Sequence, residues 1–250
     1  MDIKRLSLIL LAALLGIAAG TAREYRVSRN ISSADGLSNN FVVCMAIDGD
    51  GYVWVGTRSG VSRIAGKTCR PLPELDALID NRSIMSLHWY DEGGLMLIGM
   101  EQGMVAYRPS DGRIRHLTQS DGLVKSSVNS IADGDGGVWI AYGNGSVQML
   151  DCKTFKVQDL KLDNKFRNRC VAADAHGHLY IGHSQNGMTV VNLVNGKSKN
   201  YVERKGDASS LPGNNVRSFC IDNEQRVWVG TDNGVARFDL ETGTFAKVTD

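Results

Sequence analysis

A β-propeller, an all-β fold built from four-stranded blades, is the fold class that three features of this 250-residue sequence predict. A unit of about 40 residues recurs five times along the chain. Glycine is abundant at 28 residues while proline is scarce at 4, which is typical of many short strands joined by tight turns. Each unit holds four short runs of strand-forming residues, and one such blade buries too little apolar surface to be stable without its neighbours.

The repeat is best kept in its first and fifth copies, as Asp-x-x-Gly-x-x-Trp-x-Gly-Thr-x-x-Gly. The first copy runs from Asp48 to Gly60 and the fifth from Asp222 to Gly234, with Gln225 in place of the first Gly. An apolar strand precedes the Asp, the Asp-x-x-Gly stretch turns the chain, and the second strand carries the Trp. The repeats predict blades at about 35–78, 79–120, 121–162, 163–209 and 210–250.

An aromatic residue stands at the same place in four of the five repeats. These residues are Trp54, Trp139, Tyr180 and Trp228. Because the aromatic position recurs with the repeat, we interpret it as core between blades and not as a ligand platform. The Gly that follows two residues later, Gly56 in the first copy, allows a neighbouring backbone to approach closely.

The first 22 residues differ from the rest of the chain. Lys4 and Arg5 precede an apolar stretch at 6–19, and small residues follow up to Ala22. This layout predicts a secretory signal peptide at 1–22, followed by a partial propeller sensor domain at 23–250. The apolar stretch is shorter than the roughly 20 residues that a membrane-spanning helix needs. We therefore expect a periplasmic protein without a membrane span of its own in this chain.

Charge and cysteine content narrow the functional classes. The formal net charge of +1 gives no basic footprint for nucleic acid. The five cysteines are odd in number and lack a Cys-x-x-Cys pair, so neither a complete set of disulfides nor a structural zinc site is indicated. We expect Cys44, Cys170 and Cys220 to lie in buried strands, and we expect no cofactor.

A count of strands predicts an unfinished ring. Residues 24–29 look like a further outer strand, while the fifth repeat already holds its own outer strand. A complete ring then needs at least one more blade after Asp250. We expect five blades of a larger ring, so that the chain is a fragment of a longer sensor.

The segment Asp35-Gly-Leu-Ser-Asn-Asn40, followed by the first repeat, resembles the two-component regulator propeller repeat. The segments Asp121-Gly-Leu123, 211–215 and 222–239 echo it. The resemblance covers 24–250 and is weakest in the second repeat, where Leu97 replaces the Trp. Such repeats form the periplasmic sensor of hybrid two-component histidine kinases in gut Bacteroidetes.

The resemblance implies a larger architecture and a class of ligand. The sensor of the family usually has two seven-bladed propellers and is followed by a membrane helix, a histidine kinase and a DNA-binding domain. Its ligands are typically fragments of complex polysaccharides, and its signalling requires dimers. No kinase motif occurs in this sequence, so we expect a non-enzymatic chain that contributes to an oligosaccharide-binding surface and to a homodimer.

Two metal hypotheses are weaker than structural interpretations of the same residues. His176, His178 and His183 form the only histidine cluster, but they lack a nearby Cys or a carboxylate at ligand spacing. The acidic turns at 48–51 and 133–136 lack the closing Glu of a calcium loop. We predict no metal site.

The candidate ligand surface is the set of loops from each outer strand to the next inner strand, together with the Thr-x-x-Gly turns. In a propeller these segments lie on one face, and their amides and cationic groups could pair with sugar hydroxyls. Such residues are equally typical of tight turns. The candidates are Asn39, Asn40, Arg58, Asn81, Arg82, Gln102, Lys125, Asn144, Asn186, Asn214, Asn215 and Asn233.

The favoured function is ligand sensing in two-component signal transduction. Two alternatives stay open: a free-standing periplasmic propeller enzyme, either a glycosidase or a lyase, and a protein-interaction scaffold. A glycosidase needs two carboxylates about 5–9 Å apart. Most acidic residues here recur as turn residues, and no catalytic residue stands out.

Overall fold

The computed structural model describes residues 30–66, 68–79, 82–163 and 165–248. The predicted signal peptide and the additional outer strand predicted at 24–29 lie outside the described residues. Among the described residues, twenty strands form five four-stranded antiparallel sheets, each in sequence order from the inner to the outer strand. The predicted all-β architecture of propeller blades is confirmed.

The strand bounds follow the repeat. Blade 1 consists of β1 (Val42–Ile47), β2 (Val53–Thr57), β3 (Gly60–Ala65) and β4 (Thr68–Pro71). Blade 2 consists of β5 (Ile84–Tyr90), β6 (Leu95–Met100), β7 (Met104–Arg108) and β8 (Arg113–Leu117). Blade 3 consists of β9 (Val128–Gly134), β10 (Gly137–Tyr142), β11 (Val147–Asp151) and β12 (Val157–Asp159). Blade 4 consists of β13 (Asn168–Ala173), β14 (His178–His183), β15 (Met188–Asn192) and β16 (Ser198–Tyr201). Blade 5 consists of β17 (Val216–Ile221), β18 (Val227–Thr231), β19 (Gly234–Asp239) and β20 (Thr244–Lys247).

The Asp of the repeat joins the turn to the core. Asp48 accepts the backbone N–H groups of Asp50 at 3.1 Å and Tyr52 at 2.9 Å through Oδ1, and the indole N–H of Trp54 at 2.8 Å through Oδ2. Arg63 on β3 donates to the same Oδ2 at 2.6 Å. Burial alone would raise the pKa of Asp48, but these hydrogen bonds and the nearby guanidinium outweigh it and hold the pKa below its ordinary value. The Asp-x-x-Gly-x-x-Trp spacing is therefore the spacing at which one carboxylate can satisfy both the turn and the indole.

The Thr of the repeat closes the turn between the second and third strands. The Thr57 hydroxyl accepts from Ser59 N–H at 3.1 Å and donates to the carbonyl of Gly60 at 2.9 Å. Thr231 makes the same pair of bonds in blade 5, to Asn233 and Gly234. The Thr-x-x-Gly element is thus a self-contained side-chain-capped turn.

A side chain of the next blade packs against the Gly that follows the aromatic position. A Cβ at Gly56 would lie 2.6 Å from Ile84 Cγ2, and one at Gly99 would lie 2.6 Å from Val128 Cγ1. At Gly182 the close atom is Cγ1 of Val216, at 2.7 Å. In each case a β-branched residue that begins the next inner strand packs directly over the glycine backbone. The glycine is required by packing between blades.

This contact predicts a destabilising substitution with a matched control. Gly99→Ala should lower the free energy of unfolding by about 1–3 kcal/mol, because the new methyl group would overlap Val128 of blade 3. Gly230→Ala is the control: its Cβ would meet Ser218 of its own blade, as that of Gly99 would meet Ser86, but no residue of another described blade. Urea denaturation should show a clearly larger loss for Gly99→Ala. Equal losses would show that the contact within the blade, and not the packing between blades, requires the glycine.

The aromatic positions form the core between blades, as predicted. Trp54 is fully buried and meets Tyr107 of blade 2 edge to face, with ring centroids 5.8 Å apart. Tyr180 is also buried and packs against Phe219 and Phe238 of blade 5. Trp139 is half-buried and packs against the core of blades 3 and 4. Trp228 is also half-buried, and no described blade follows blade 5.

Blades 2 and 3 depart from the Asp–Trp pattern. Blade 2 has Leu97 at the aromatic position, and Leu97 is fully buried. In blade 3 the inner strand continues through Asp133, whose carboxylate is exposed and meets Nε2 of His88 in blade 2 at 2.8 Å. The Asp of the third repeat therefore links two blades instead of holding its own turn.

Two features differ from the sequence-based expectations. A short helix, α1 (Pro73–Ile79), follows β4, and its Leu75 and Ile79 are buried in the core of blades 1 and 2. The prediction that Cys220 is buried is wrong, because Cys220 is exposed, whereas Cys170 is buried and Cys44 half-buried. Cys220 aligns with Ala46, which packs against the following blade, and no described blade follows blade 5.

Each inner strand packs on the next, from β1 on β5 to β13 on β17. In the part of the chain that the structure describes, β17 has no such pairing with β1, so the ring is open. The free face of β1 carries the exposed apolar side chains of Phe41, Val43, Met45 and Ile47.

Across the described ranges, the structure contains no helix of the length and apolar character that a membrane crossing requires.

Candidate functional site on the loop face

One face of the blades is built from two kinds of segment. We call it the loop face; it contains the segment before β1 at 32–41, the connections at 82–83, 118–127, 160–163, 165–167 and 202–215, and the turns at 58–59, 101–103, 143–146, 184–187 and 232–233. Backbone hydrogen bonds join the two kinds of segment: Arg58 N–H donates to Phe41 O at 3.2 Å, Gly143 N–H to Ser127 O at 2.9 Å, and Ser184 N–H to Arg167 O at 2.9 Å. These hydrogen bonds hold the loops against the turns.

Four of the predicted asparagines use their side chains to shape the loops. The Oδ1 atoms accept backbone N–H groups, from Phe41 to Asn39 at 2.8 Å, from Ser33 to Asn40 at 2.7 Å, from Ser146 to Asn144 at 3.1 Å and from Glu203 to Asn214 at 2.8 Å. Because these amide oxygens are already engaged, the structure favours the turn interpretation for this group.

The other candidates in blades 1, 4 and 5 are dispersed. The guanidinium of Arg58 lies 3.7 Å above the ring centroid of Phe41. Asn215 donates through Nδ2 to Asp232 at 2.9 Å, while its buried Oδ1 has no partner in the described structure. Asn186 contributes its carbonyl to a bond from Asn200, and Asn233 lies in the turn capped by Thr231. Asn81 lies outside the described residues.

Three predicted residues do come together. Arg82, Gln102 and Lys125 line a cleft of about 370 Å³ where the loop face crosses the outer strand of blade 2. The remainder of the lining consists of Gly103, His116, Thr118, Gln119, Ser120 and Val124. The lining therefore combines two cationic groups, two amides, two hydroxyls and an imidazole, without a carboxylate.

His116 is a lining residue that the sequence did not indicate as a candidate. Its Nε2 is buried and has no hydrogen-bond partner in the described structure. Burying a ring nitrogen without a hydrogen-bond partner costs free energy unless a ligand or a water molecule supplies the partner. The only sequence signal was its place at the end of an outer strand, next to the Asp121-Gly-Leu segment.

The Asp-Gly-Leu segment makes the wall of this cleft rigid. Asp121 Oδ2 accepts from both the backbone N–H of Thr118 at 2.9 Å and its hydroxyl at 3.2 Å, so that a 3-10 turn is capped at both ends. The backbone N–H bond from Thr118 is the main cause that lowers the pKa of Asp121. Gly122 takes a φ of 98°, and Leu123 is buried beneath it. The same arrangement recurs at Ser32 to Leu37, which explains the shared sequence segment.

The histidines do not form a ligand cluster. His178 Nδ1 lies 3.1 Å from Asp174 Oδ2 beside the turn. His183 is buried in the blade, with Nδ1 3.1 Å from Asn168 Oδ1 and Nε2 2.8 Å from Thr189 Oγ1. Burial lowers the pKa of His183 to about 4. Within the described ranges, no group of three His, Cys, Asp or Glu residues is arranged to hold a metal ion.

The repeats match a known family model. The model for the two-component regulator propeller matches residues 36–59 and 210–233, which cover the first and the fifth repeat up to their closing Gly, together with the segment before each. Two segments of this chain are therefore similar to the two-component regulator propeller repeat. None of the curated proteins matches the sequence.

Solved structures share the fold of these propeller repeats at low sequence identity. The extracellular domain of a hybrid two-component system from B. thetaiotaomicron is 24% identical with a TM-score of 0.72, over 87% of this chain and 31% of that chain. The extracellular domain of a one-component system from the same organism is 19% identical with a TM-score of 0.69, over 90% of this chain and 29% of that chain. Virginiamycin B lyase from Staphylococcus aureus is 16% identical with a TM-score of 0.65, over 86% of this chain and 72% of that chain. The chain thus spans about a third of the length of these two extracellular domains.

Proposed function

We propose that this chain forms part of the ligand-sensing propeller of an exported two-component sensor. The observation that carries the proposal is the family match at both the first and the fifth repeats. The fold shared with extracellular domains of two signalling systems supports it. Signal output through a histidine kinase and dimerisation of the complete sensor belong to the same proposal.

The proposed ligand is an oligosaccharide, and the proposed site is the loop-face cleft of blade 2. Sugar hydroxyls both donate and accept, so a site for them needs mixed polar groups held in fixed positions. The cleft offers the amides of Gln102 and Gln119 and the charged donors Arg82 and Lys125. The capped turn at Thr118 keeps the backbone of Gln119 and Ser120 in place without a ligand, which lowers the entropic cost of binding.

An enzymatic role receives less support. The lyase neighbour shows that this fold also serves catalysis, but a shared fold does not imply a shared function. The cleft lining has no carboxylate pair for glycoside hydrolysis. We therefore favour ligand sensing over catalysis as the function of this chain.

Isothermal titration calorimetry of the purified chain with a panel of neutral and acidic oligosaccharides tests the site. We expect one saturable ligand class, with affinity reduced roughly tenfold or more by Arg82→Ala or Lys125→Ala, since each variant removes a charged hydrogen-bond donor. Lys153→Ala is the matched control, because Lys153 is an exposed cation in the turn at the opposite end of blade 3. Binding that none of the loop-face variants weakens would overturn the site. Chromatographic detection of cleaved glycan would favour the enzyme instead.

A further inference from the structure

A second cavity lies at the far end of β8 from the loop-face cleft. It measures about 300 Å³ and sits between the outer strand of blade 2 and the β11–β12 turn of blade 3. Its floor is apolar and is formed by Leu95, Ala106, Ile114 and Phe155. Its rim carries the three arginines Arg108, Arg113 and Arg115.

Phe155 has a backbone conformation that is unfavourable for a phenylalanine. Its φ is 57°, in the left-handed region that bulky residues rarely adopt. Its N–H donates to Asp151 O, and the same turn bond is made in blades 2, 4 and 5 by Gly112, Gly196 and Gly243. Those three glycines have φ values of 70°, 71° and 69°. A phenylalanine therefore occupies a position that three other blades give to glycine, at a cost in backbone strain.

The ring of Phe155 faces the arginine rim. The guanidinium of Arg115 lies 4.6 Å from the ring centroid, within the range of a cation–π contact. The ring is half-buried, so one side packs on the core of blades 2 and 3 while the other remains accessible from the cavity. The strained turn thus presents an aromatic surface beside cationic donors.

The rim has more positive than negative charge. Arg108 and Arg113 share one carboxylate, that of Asp111, at 3.6 Å and 3.3 Å. Arg115 lies 3.9 Å from Asp121, a distance too long for a hydrogen bond. Three guanidinium groups, each with five N–H donors, therefore face two carboxylates, which leaves donors free at the cavity mouth.

We propose that this cavity binds a small amphipathic organic anion, an apolar or aromatic body that carries a carboxylate or sulfonate-type group. The body would lie on Leu95, Ile114 and the Phe155 ring, and the anionic oxygens would accept from Arg115 and its neighbours. A volume of about 300 Å³ is at the lower end of the range for small-molecule sites, which suits one or two fused rings. The site is separate from the loop-face cleft, and its test does not depend on the oligosaccharide proposal.

The test is calorimetric titration of the purified chain with naphthalene-2-sulfonate, compared with neutral 2-naphthol and with inorganic sulfate alone. We expect saturable binding of the sulfonate, weaker binding of the neutral analogue, and no binding of sulfate at matched concentration. Arg115→Gln should weaken sulfonate binding by roughly tenfold through loss of a charged donor. Phe155→Gly should abolish it.

Two variants separate a binding role from a structural one. Phe155→Gly restores the residue type of the equivalent turns and relieves the backbone strain, and Arg115→Gln changes a half-exposed side chain without emptying the core. Lys153→Ala, in the same turn as Phe155 but outside the cavity lining, is the control and should bind normally. The proposal is wrong if the sulfonate does not saturate, if sulfate or 2-naphthol binds equally well, or if neither Phe155→Gly nor Arg115→Gln reduces the affinity.

Discussion

Trp54→Ala should lower the free energy of unfolding by about 3–5 kcal/mol, the usual loss for truncating a buried large aromatic side chain. Trp54 is fully buried between blades 1 and 2 and meets Tyr107 edge to face. The substitution also removes the indole donor at 2.8 Å from buried Asp48, which leaves that carboxylate more dependent on Arg63. Since domains have only about 5–15 kcal/mol of net stability, the variant should lose a large share of it and unfold at a clearly lower urea concentration. Urea denaturation followed by circular dichroism measures the loss.

Trp228→Ala is the matched control for this prediction. Trp228 occupies the same repeat position and donates to Asp222 at 2.9 Å, as Trp54 does to Asp48, but it is only half-buried. Its truncation should cost clearly less, because less apolar area is removed from the core. Equal losses for the two variants would mean that the Asp–Trp bond, and not burial between blades, is the main contribution.

Acidification from pH 6.5 to pH 4 should destabilise the fold by up to about 3 kcal/mol through His183 alone. Burial lowers the pKa of this histidine from 6.5 to about 4 in the folded chain. Between these values the unfolded chain binds a proton that the folded chain does not, so stability falls as the pH falls. The neutral ring is held between Asn168 and Thr189, inside the blade.

His183→Thr gives the control, since Thr57 and Thr231 occupy the equivalent position in blades 1 and 5. The variant should be less stable at neutral pH, because a smaller side chain leaves a cavity. Its stability should nevertheless change much less between pH 6.5 and pH 4 than that of the unchanged chain. Denaturation midpoints at several pH values measure this slope, and an unchanged slope in His183→Thr would rule out His183 as the cause.

Below pH 4 a different set of groups should control stability. Trp228 is the main hydrogen-bond partner that lowers the pKa of Asp222, and in Asp48 and Asp174 the hydrogen bonds outweigh the opposing effect of burial. Carboxyl groups with lowered pKa values stabilise the fold above their ordinary range and lose this effect as the pH falls through the folded value. The acid limit of the fold therefore depends on the same Asp residues that define the repeat.

Much of the fold could be predicted because the repeat is local chemistry. Asp48, Trp54 and Thr57 act on partners within a few residues, so their spacing indicates the turns and the strands directly. The helix at Pro73–Ile79 and the exposure of Cys220 could not be predicted in this way. Both depend on which surface lies opposite, and that surface belongs to another part of the chain.

The same distinction between local chemistry and tertiary contacts applies to the candidate site. The sequence indicated the loop face and named Arg82, Gln102 and Lys125, but it placed them among many asparagines of equal weight. Only the structure shows that four of those asparagines hold backbone groups through their side chains, while His116 completes the cleft. Phe155 was not a candidate at all, since an aromatic residue in a glycine position is visible only when turns of different blades are superposed.

The sequence by itself determined the blade: its strand order, its capped turns and the aromatic and glycine positions that face the next blade. The strand order and the capped turns depend on hydrogen bonds within about 15 residues, so they recur wherever the repeat recurs, and the aromatic and glycine positions recur with them. The tertiary structure alone decided which repeats bury those positions and which loops enclose a cavity. Stacking brings together side chains more than 40 residues apart, as with Ser86 and the Val128 carbonyl at 2.8 Å, and no local pattern specifies such contacts.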